Sequence, residues 1–192
     1  MAIDPVKRFN RWFSEARRAG IPLPEACAMA TVDSRGRPTL RYLLLKQAGP
    51  DGFVFYTNAQ SDKGEQLRNN PAAALAFYWD ATGRQVRIEG TATLLSAATA
   101  DKYWATRPRG SQLAAAVSQQ SRTLFDRSRM MAEYRHLEKD SEGRDIKRPD
   151  YWKGYSIKPR RIEFWTRREP RLHHRELFVR RNGEWTSRLL QP

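Results

Sequence analysis

The chain has 192 residues, with 35 Lys and Arg against 21 Asp and Glu, so its net charge is +14. Its 40% hydrophobic and 11% aromatic content excludes a disordered basic tail, and a chain of this length can bury a core without disulfides or metal. Cys27 is the only cysteine, which excludes an intramolecular disulfide and a cysteine-rich zinc site and favours a reducing, cytoplasmic location.

The first half of the chain opens with a helix and continues as strands. Asp4 can cap a helix and Pro5 suits its first turn, and apolar residues at helical spacing then predict a helix over 5–19. A second, short helix is predicted from near Ser61 to before Pro71. Strands, the first two forming a hairpin, are predicted at 27–33, 39–46, 53–57, 72–79 and 84–95.

The second half predicts two more helices before the chain returns to strands. Helical patterns cover 96–106 and 122–138, and the charged segment 139–150 predicts a surface loop. The C-terminal region, about 154–192, is a β-hairpin region in which Asn182-Gly183 is a strong hairpin signal. About seven strands with few, peripheral helices predict one α+β domain, mainly β and barrel-like, over residues 1–192.

Several nucleotide-binding and catalytic motifs do not occur. The sequence lacks the GxxxxGK[ST] phosphate loop, GxGxxG, HExxH and GxSxG, and it contains only three histidines. Cys27 lies among apolar residues of a predicted strand, so we expect it in the core. These absences weigh against hydrolases and protein-only metal sites, and the apolar runs are too short to cross a bilayer.

Basic and hydroxyl residues gather at strand ends. Arg41 and Lys46 bracket one strand, and their odd spacing would place the two side chains on opposite faces. Tyr56 and Thr57 end another strand just before Lys63 opens a helix, which predicts a phosphate-binding helix N-terminus. An ordinary capped helix is the alternative interpretation.

Two further groups of residues have a spacing that suits anion binding. Tyr103, Arg107 and Ser111 recur every four residues, so on a helix they could converge on one phosphate. In the segment RLHHR (171–175), alternate residues would lie on one face of a starting strand, with a solvated strand end as the alternative.

These segments together identify the sequence as similar to one family. From about Pro5 to Pro192 it resembles pyridoxamine 5′-phosphate oxidases, the flavin enzymes that make pyridoxal phosphate. The resemblance rests on several ordered motifs: RYLLLK, FYTNAQSDKG, RQVRIEG, YWATRPRGSQ, SQQS, GYSIKPRRIEFW, RLHHR and RLLQP.

The resemblance implies an FMN-binding split β-barrel that forms a homodimer with FMN at the interface. It assigns FMN contacts to Arg41, Tyr42, Leu43, Leu44, Leu45, Lys46, Tyr56, Thr57, Lys63, Gln85, Gln120, Ser121, Trp165 and Arg175. It assigns substrate contacts to Lys46, Tyr103, Arg107, Ser111, Arg171 and His173, of which Arg171 and His173 would be catalytic. The FMN phosphate would lie near Lys63 and the substrate phosphate near Lys46 and Arg107, with no metal.

The implied reaction is oxidation of pyridoxamine or pyridoxine 5′-phosphate to pyridoxal 5′-phosphate by FMN, with dioxygen reduced to hydrogen peroxide. A related FMN oxidase acting on another substrate, for example in phenazine-type secondary metabolism, is the alternative. A basic nucleic-acid-binding β-barrel is a weaker alternative that would explain the charge. The oxidase interpretation expects neither a nucleic acid nor a membrane as partner.

Three positions depart from the family pattern. Asp62 stands where a basic residue commonly lies beside the FMN phosphate, so reduced flavin affinity is expected. His174 stands where an acidic residue usually follows the histidine, which alters the charge around His173 and Arg175. The sequence also begins after the N-terminal segment that covers the substrate in longer relatives.

Overall fold

The N-terminal helix α1 covers Pro5–Arg18 in the computed structural model, which describes residues 4–192. Its first turn forms for the reason that the sequence suggests. The Asp4 carboxylate accepts a hydrogen bond from the Val6 N–H at 2.9 Å, and Pro5 has no N–H to satisfy. Residues 1–3 of the predicted domain lie outside the described residues.

The described residues contain one antiparallel sheet and four further helices. The strands are β1 Ala26–Val32, β2 Pro38–Leu44, β3 Gln47–Gly49, β4 Gly52–Asn58, β5 Ala72–Trp79, β6 Arg84–Leu94, β7 Trp152–Thr166, β8 His174–Arg181 and β9 Glu184–Leu190. The helices are α2 Asp62–Asn69, α3 Ala97–Ala105, α4 Arg109–Val117 and α5 Arg127–Asp140. The strand order is β2-β1-β5-β6-β7-β4-β3, with β8 on β7 and β9 on β8.

Strand β7 has 15 residues and exchanges one neighbour for another along its length. Its first part pairs with β4 from Trp152 to Ile157, and its last part pairs with β8 from Arg161 to Thr166, while β6 follows its other edge. The register with β6 shifts between Glu89 and Gly90, which is a β-bulge at the point of exchange. The bulge lets one strand belong to two differently directed parts of the sheet.

Helix α1 packs its aromatic face against the inside of this curled sheet. The ring of Phe9 lies 5.0 Å from the rings of Phe53 and Phe77, and Trp12 lies 5.0 Å from Phe164. These aromatic residues are buried in the main hydrophobic core. Cys27 belongs to the same core, and burial raises the pKa of its thiol to about 12, so it has the structural role expected of it.

A second, smaller hydrophobic cluster lies under helices α3 and α4. It consists of Ala100, Trp104, Leu113, Ile146 and Trp152. Trp152 is the first residue of β7, so the helices rest on the end of the long strand.

The predicted α+β, mainly β fold is confirmed, but several element bounds differ. Within residues 4–192 the sheet has nine strands rather than about seven, and helix α4 occupies a segment for which the sequence predicts no helix. Helix α5 begins after its cap Asp126 rather than at 122, because the Asp126 carboxylate accepts hydrogen bonds from the N–H groups of Ser128 and Arg129.

Two site segments expected to be strand are also not strand. Strand β2 ends at Leu44 rather than at 46, so Lys46 lies beyond it. Exposure still alternates from the half-buried Arg41 to the exposed Lys46, as their odd spacing predicts. Strand β8 begins only at His174, because Arg171 has φ +86° and the His173 N–H bonds the Arg171 carbonyl in a tight turn. The predicted alternation of Arg171 and His173 on one strand face is therefore wrong.

Gly90→Ala is expected to destabilise the fold, because a Cβ at this bulge position would overlap the backbone carbonyl of Lys158. We expect a loss of about 1–3 kcal/mol or more in the free energy of unfolding, measured by chemical denaturation. Gly49→Ala is the matched control, since its Cβ would meet only the Gln47 side chain at an ordinary 3.6 Å. An unchanged stability for Gly90→Ala would contradict the role assigned to the bulge.

Candidate functional site

A buried ammonium group lies at the start of helix α2. Lys63 is only 9% exposed, and its Nζ donates hydrogen bonds to Gln120 Oε1 at 2.9 Å and to the hydroxyls of Thr57 and Ser61 at 3.2 Å. All three acceptors are neutral. Thr57 is the penultimate residue of strand β4 and Ser61 precedes the helix, so the strand-to-helix connection builds this environment.

The electrostatics of this group reflect the missing counter-charge. Burial and the nearby Arg41 charge lower the pKa of Lys63 to about 8, while the exposed Asp62 acts in the opposite direction. Burial also lowers the pKa of Arg41. Among the described residues, neither Lys63 nor Arg41 forms an ion pair with a carboxylate, so an anion would be stabilised here.

Arg41 is held by a hydroxyl and amide network on strands β1 and β2 and helix α2. Its Nη1 donates to Thr31 Oγ1 at 2.5 Å and its Nη2 donates to Thr39 Oγ1 at 2.6 Å. Both hydroxyls in turn donate to Gln66 Oε1, at 2.5 Å and 2.8 Å. We call Lys63, Arg41 and these neutral partners the cationic seat, and it fits a phosphate group better than any neutral ligand.

A stack of aromatic rings lies next to Thr57. The ring of Tyr56 is parallel to that of Tyr103 at 4.1 Å and to that of Trp152 at 5.0 Å. Strand β4 supplies Tyr56, helix α3 supplies Tyr103 and strand β7 supplies Trp152. Burial, followed by the Tyr103 hydroxyl, raises the pKa of Tyr56. The stack therefore joins a residue predicted to contact FMN with one predicted to contact the substrate.

Arg107 covers the end of this stack. Its guanidinium lies 4.8 Å from the Trp152 ring and 5.6 Å from the Trp104 ring, and its Nη2 donates to the Ser111 carbonyl at 3.1 Å. Tyr103 belongs to α3 and Ser111 to α4, with Arg107 in the link between them. Arg107 thus contacts only the backbone of Ser111, and the three residues lie across two helices rather than along one. Their convergence on a phosphate stays a prediction.

A third group lies at the other end of strand β7. The His173 ring is 4.7 Å from the Trp165 ring, and Arg175 is the cross-strand partner of Trp165. Gln85 on β6 is the partner of Trp165 on its other side. Glu163 accepts a hydrogen bond from Arg175 Nε at 2.7 Å, which raises the pKa of Arg175. This group contains a strong ion pair, in contrast to the cationic seat.

Thr57 of the cationic seat and this third group lie toward opposite ends of strand β7. Lys153 is the cross-strand partner of Thr57, whereas Trp165 is the partner of Gln85. These two β7 positions are twelve residues apart, which at about 3.3 Å per residue is roughly 40 Å along the strand. The predicted site residues of one chain are therefore distributed over two regions of its sheet.

The predicted FMN contacts on strand β2 and just after it lie in two environments, one buried and one exposed. Leu45 is buried and Leu43 packs against the core, whereas Tyr42 is 79% exposed and Leu44 38%. Lys46 is exposed and its N–H bonds the Val54 carbonyl. Because β2 is an edge strand, its exposed apolar side chains form a surface suited to contact with another chain.

The segment after α4 brings one of its two predicted residues to the seat. Gln120 accepts hydrogen bonds from Lys63 and from Thr57, whereas Ser121 is exposed with φ +72°.

No group of three or more His, Cys, Asp or Glu residues suited to a metal ion occurs within residues 4–192. In the same range no helix is long and apolar enough to cross a bilayer.

Comparison with known proteins gives this arrangement a family. The sequence matches the family described as pyridoxamine 5′-phosphate oxidase over residues 13–139 and the pyridoxine 5′-phosphate oxidase C-terminal dimerisation region over 152–192. A Zymomonas mobilis relative named pyridoxine/pyridoxamine 5′-phosphate oxidase is 48% identical over 192 residues, which cover all of both chains. The chain belongs to the pyridoxamine 5′-phosphate oxidase family.

Other relatives agree with this membership. A Rubrobacter xylanophilus protein of the same name is 48% identical over 189 residues, 98% of this chain and 87% of its own. PhzG from Burkholderia lata, solved with tetrahydrophenazine-1-carboxylic acid, has a TM-score of 0.95 at 32% identity and covers 98% of this chain and 93% of its own. The split-barrel fold and the prediction of an FMN-dependent oxidase are thereby confirmed.

A protein from Nostoc punctiforme shares the fold at greater distance. It is described as pyridoxamine 5′-phosphate oxidase-related and FMN-binding, and it has a TM-score of 0.82 at 21% identity, with both chains fully covered. The family's C-terminal dimerisation region corresponds here to β7, β8 and β9, the part that carries Trp165 and Arg175. The roles of the individual site residues stay predictions.

Sequence reasoning missed the residues that hold the predicted FMN-binding side chains in place. Thr31, Gln66 and Glu163 bond the predicted contacts Arg41 and Arg175, yet none was singled out. Glu163 alternates with the core residues Ile162 and Phe164, so its side chain lies on the opposite face of β7, and only the folded structure shows that it is buried and paired there. Thr31 and Gln66 offered no signal, because polar residues of these types are common on exposed surfaces.

Arg107→Ala is expected to lower the thermal stability of the protein. The guanidinium is half-buried on Trp152 and Trp104, so its loss removes a cation–π contact and packing worth about 1–2 kcal/mol. Thermal denaturation of the purified variant measures this, with Arg135→Ala as control because that side chain is exposed on α5. Equal melting temperatures for the two variants would contradict this packing role.

Proposed function

We propose that this oxidase converts pyridoxamine 5′-phosphate, pyridoxine 5′-phosphate or both to pyridoxal 5′-phosphate, with FMN as cofactor and dioxygen as oxidant. The main support is the cationic seat, in which the buried Lys63 and Arg41 have neutral partners only. Such a site suits the phosphate of FMN. The names of the 48% identical relatives support the substrate class.

FMN, when bound, supplies a two-electron acceptor that dioxygen reoxidises with formation of hydrogen peroxide. The chain itself binds and orients. Lys63 and Arg41 would hold the FMN phosphate, and the Tyr56–Tyr103–Trp152 stack would offer a flat apolar surface beside it. Holding the donor carbon in place removes much of the entropic barrier to the reaction.

Arg171 and His173 are proposed to act at the reacting end of the substrate. His173 Nδ1 accepts a hydrogen bond from the Arg168 N–H at 3.2 Å, so the neutral ring carries its proton on Nε2. Its ring is fixed against Trp165, which leaves the Nε2–H as a donor toward a substrate hydroxyl or amine. Arg171 is exposed in the turn before β8 and would reach the same end.

The substrate phosphate is assigned to Lys46, Tyr103, Arg107 and Ser111. Arg107 Nε is buried without a hydrogen-bond partner within the described residues, so this guanidinium retains a donor. Burial lowers the pKa of Arg107, and an anion nearby would compensate for that cost. These features support a phosphorylated substrate over a neutral one.

We further propose a homodimer with FMN at the interface. The distribution of the predicted contacts between the start and the end of β7 supports a site built from two chains, the seat from one and Trp165 with Arg175 from the other. The exposed apolar residues of β2 and the match to a dimerisation region support the same assembly. Residues 1–192 are proposed to act as one domain, since Trp152 of β7 joins the second hydrophobic cluster to the main sheet. We propose that this domain acts in the cytoplasm.

Oxidation of a reduced phenazine-type carboxylic acid is the second candidate. It is favoured by the TM-score of 0.95 to PhzG, which was solved with tetrahydrophenazine-1-carboxylic acid. Membership of an oxidase family supports both candidates over the nucleic-acid-binding barrel. A carboxylate ligand would need fewer cations than a phosphate, so Arg107 distinguishes the two substrates.

Turnover measurements test the substrate class. We expect dioxygen consumption with pyridoxamine or pyridoxine 5′-phosphate, and a loss of roughly 30- to 1,000-fold in kcat/KM for Arg107→Ala. Dephosphorylated pyridoxamine should be a poor substrate that loses little more in the variant. Faster turnover of tetrahydrophenazine-1-carboxylic acid by the unmodified protein would favour the second candidate.

Flavin affinity is expected to depend on pH through Lys63. Phosphate binding needs the ammonium form, and the pKa of Lys63 in the flavin-free protein is about 8, so FMN affinity should fall as pH rises through 8. Calorimetry in buffers of different ionisation enthalpy should show proton uptake on binding near that pH. Lys63→Met should bind FMN roughly 10- to 150-fold more weakly, without this pH dependence.

Asp62→Asn serves as a matched variant on the adjacent position. Removing this carboxylate should lower the pKa of Lys63 further, since Asp62 raises it. It also leaves the FMN phosphate with one repulsive charge fewer, so we expect tighter FMN binding at a pH below the pKa of Lys63. An FMN affinity that is independent of pH and of both substitutions would place the phosphate elsewhere.

Mixed dimers test the shared site. Lys63→Ala and Arg175→Ala homodimers should each bind FMN weakly, because every site carries one defect. Heterodimers of the two variants should regain one intact site, measured as one tightly bound flavin per dimer after co-expression with different tags. A site contained in one chain would give no regain, since each chain of the heterodimer would still carry a defect.

A further inference from the structure

Gln66 lies at the centre of the hydrogen bonds that fix Arg41, although it is not among the residues predicted to contact FMN or substrate. Its Oε1 accepts from Thr31 Oγ1 at 2.5 Å, from Thr39 Oγ1 at 2.8 Å and from Arg41 Nη2 at 3.2 Å. Gln66 lies on helix α2 three residues after Lys63. The same short helix therefore carries one cation of the seat and the group that holds the other.

The guanidinium fixes the direction of the hydrogen bonds that it makes. A guanidinium can only donate, so the hydroxyls of Thr31 and Thr39 accept from Arg41 and direct their own protons to Gln66 Oε1. Thr31 is 1% exposed and is the cross-strand partner of Thr39. Position 66 must therefore provide an acceptor, and both an amide oxygen and a carboxylate satisfy that requirement.

A carboxylate in place of the amide at position 66 would add a negative charge beside Arg41, while the hydrogen bonds from Thr31, Thr39 and Arg41 could still form. A carboxylate would accept the same bonds and would form an ion pair with Arg41, as Glu163 does with Arg175 at 2.7 Å. That pair would cancel the positive charge beside Lys63. The neutral amide holds the guanidinium and leaves its charge available to an anion.

We propose that Gln66 is a positioning residue that holds Arg41 as an uncompensated cation beside Lys63, and so sets the preference of the site for a phosphorylated over an unphosphorylated flavin. The inference rests on the proposed function, in which the cationic seat binds the FMN phosphate. It assigns to one neutral side chain the discrimination between FMN and riboflavin, which differ only in that phosphate.

The decisive variant is Gln66→Glu, compared by flavin titration of the flavin-free full-length protein with FMN and with riboflavin. We expect FMN binding to weaken by about 10- to 100-fold, because the added charge neutralises Arg41 and repels the phosphate. Riboflavin binding should change less than threefold. The melting temperature should stay the same or rise, since a charged acceptor strengthens the bonds to Arg41.

Two further variants separate positioning from general charge effects. Asn69→Asp adds the same charge at an exposed position of the same helix, so it should weaken FMN binding less than threefold. Gln66→Met removes the acceptor without adding charge, and it should weaken FMN binding by less than Gln66→Glu does, again with little effect on riboflavin. The ratio of FMN affinity to riboflavin affinity should therefore fall most in Gln66→Glu and less in the other two variants, as expected for a residue that acts through Arg41.

The inference is overturned if Gln66→Glu weakens FMN and riboflavin equally, which would mean a structural role, or if it changes neither. It is also overturned if Asn69→Asp matches the effect of Gln66→Glu. Failure of the proposed function gives a different result, because the unmodified protein and Lys63→Met would then bind FMN and riboflavin with the same affinity ratio.

Discussion

Strand β7 must satisfy its backbone hydrogen bonds over 15 residues. Strand β6 follows one of its edges, and no single strand covers the whole of the other edge. β4 pairs with its first part and β8 with its last part, and the bulge opposite Gly90 allows the change of direction between them. This arrangement places Trp152 in the helical cluster and Trp165 beside His173. The separation of the predicted site into two halves, and hence the case for a shared dimeric site, follows from that one strand.

The two halves hold their cations by different means. Arg175 is anchored by the buried carboxylate of Glu163, which fixes its position and neutralises much of its charge. Lys63 and Arg41 are anchored by hydroxyls and amides, which fix them and leave their charge uncompensated. The unfavourable burial lowers the pKa of Lys63 to about 8, and an anionic ligand would relieve it. The protein thus maintains a destabilised charge where a phosphate is to bind.

Sequence patterns predicted the repeating elements well and the irregular ones poorly. The capped helix α1 and strand β5 follow from local signals, because a side-chain cap or a run of alternating burial acts within a few residues. The turn at Arg171 and helix α4 were not predicted, since they depend on packing against β7 and Trp152. Residues of the predicted site on regular elements, such as Thr57 and Trp165, were therefore placed more accurately than Lys46 or His173.

By itself the sequence determined the family, the mainly β architecture and the chemical types at the site, because hydrophobic periodicity and ordered motifs are properties of the chain alone. Only the tertiary structure decided which cations are buried, what holds them and how far apart the two groups lie. Those properties depend on contacts between residues distant in sequence, such as Lys63 with Gln120 and Arg41 with Gln66. Burial changes the free energy of a charge according to the partners around it, and the sequence does not specify those partners until the chain is folded.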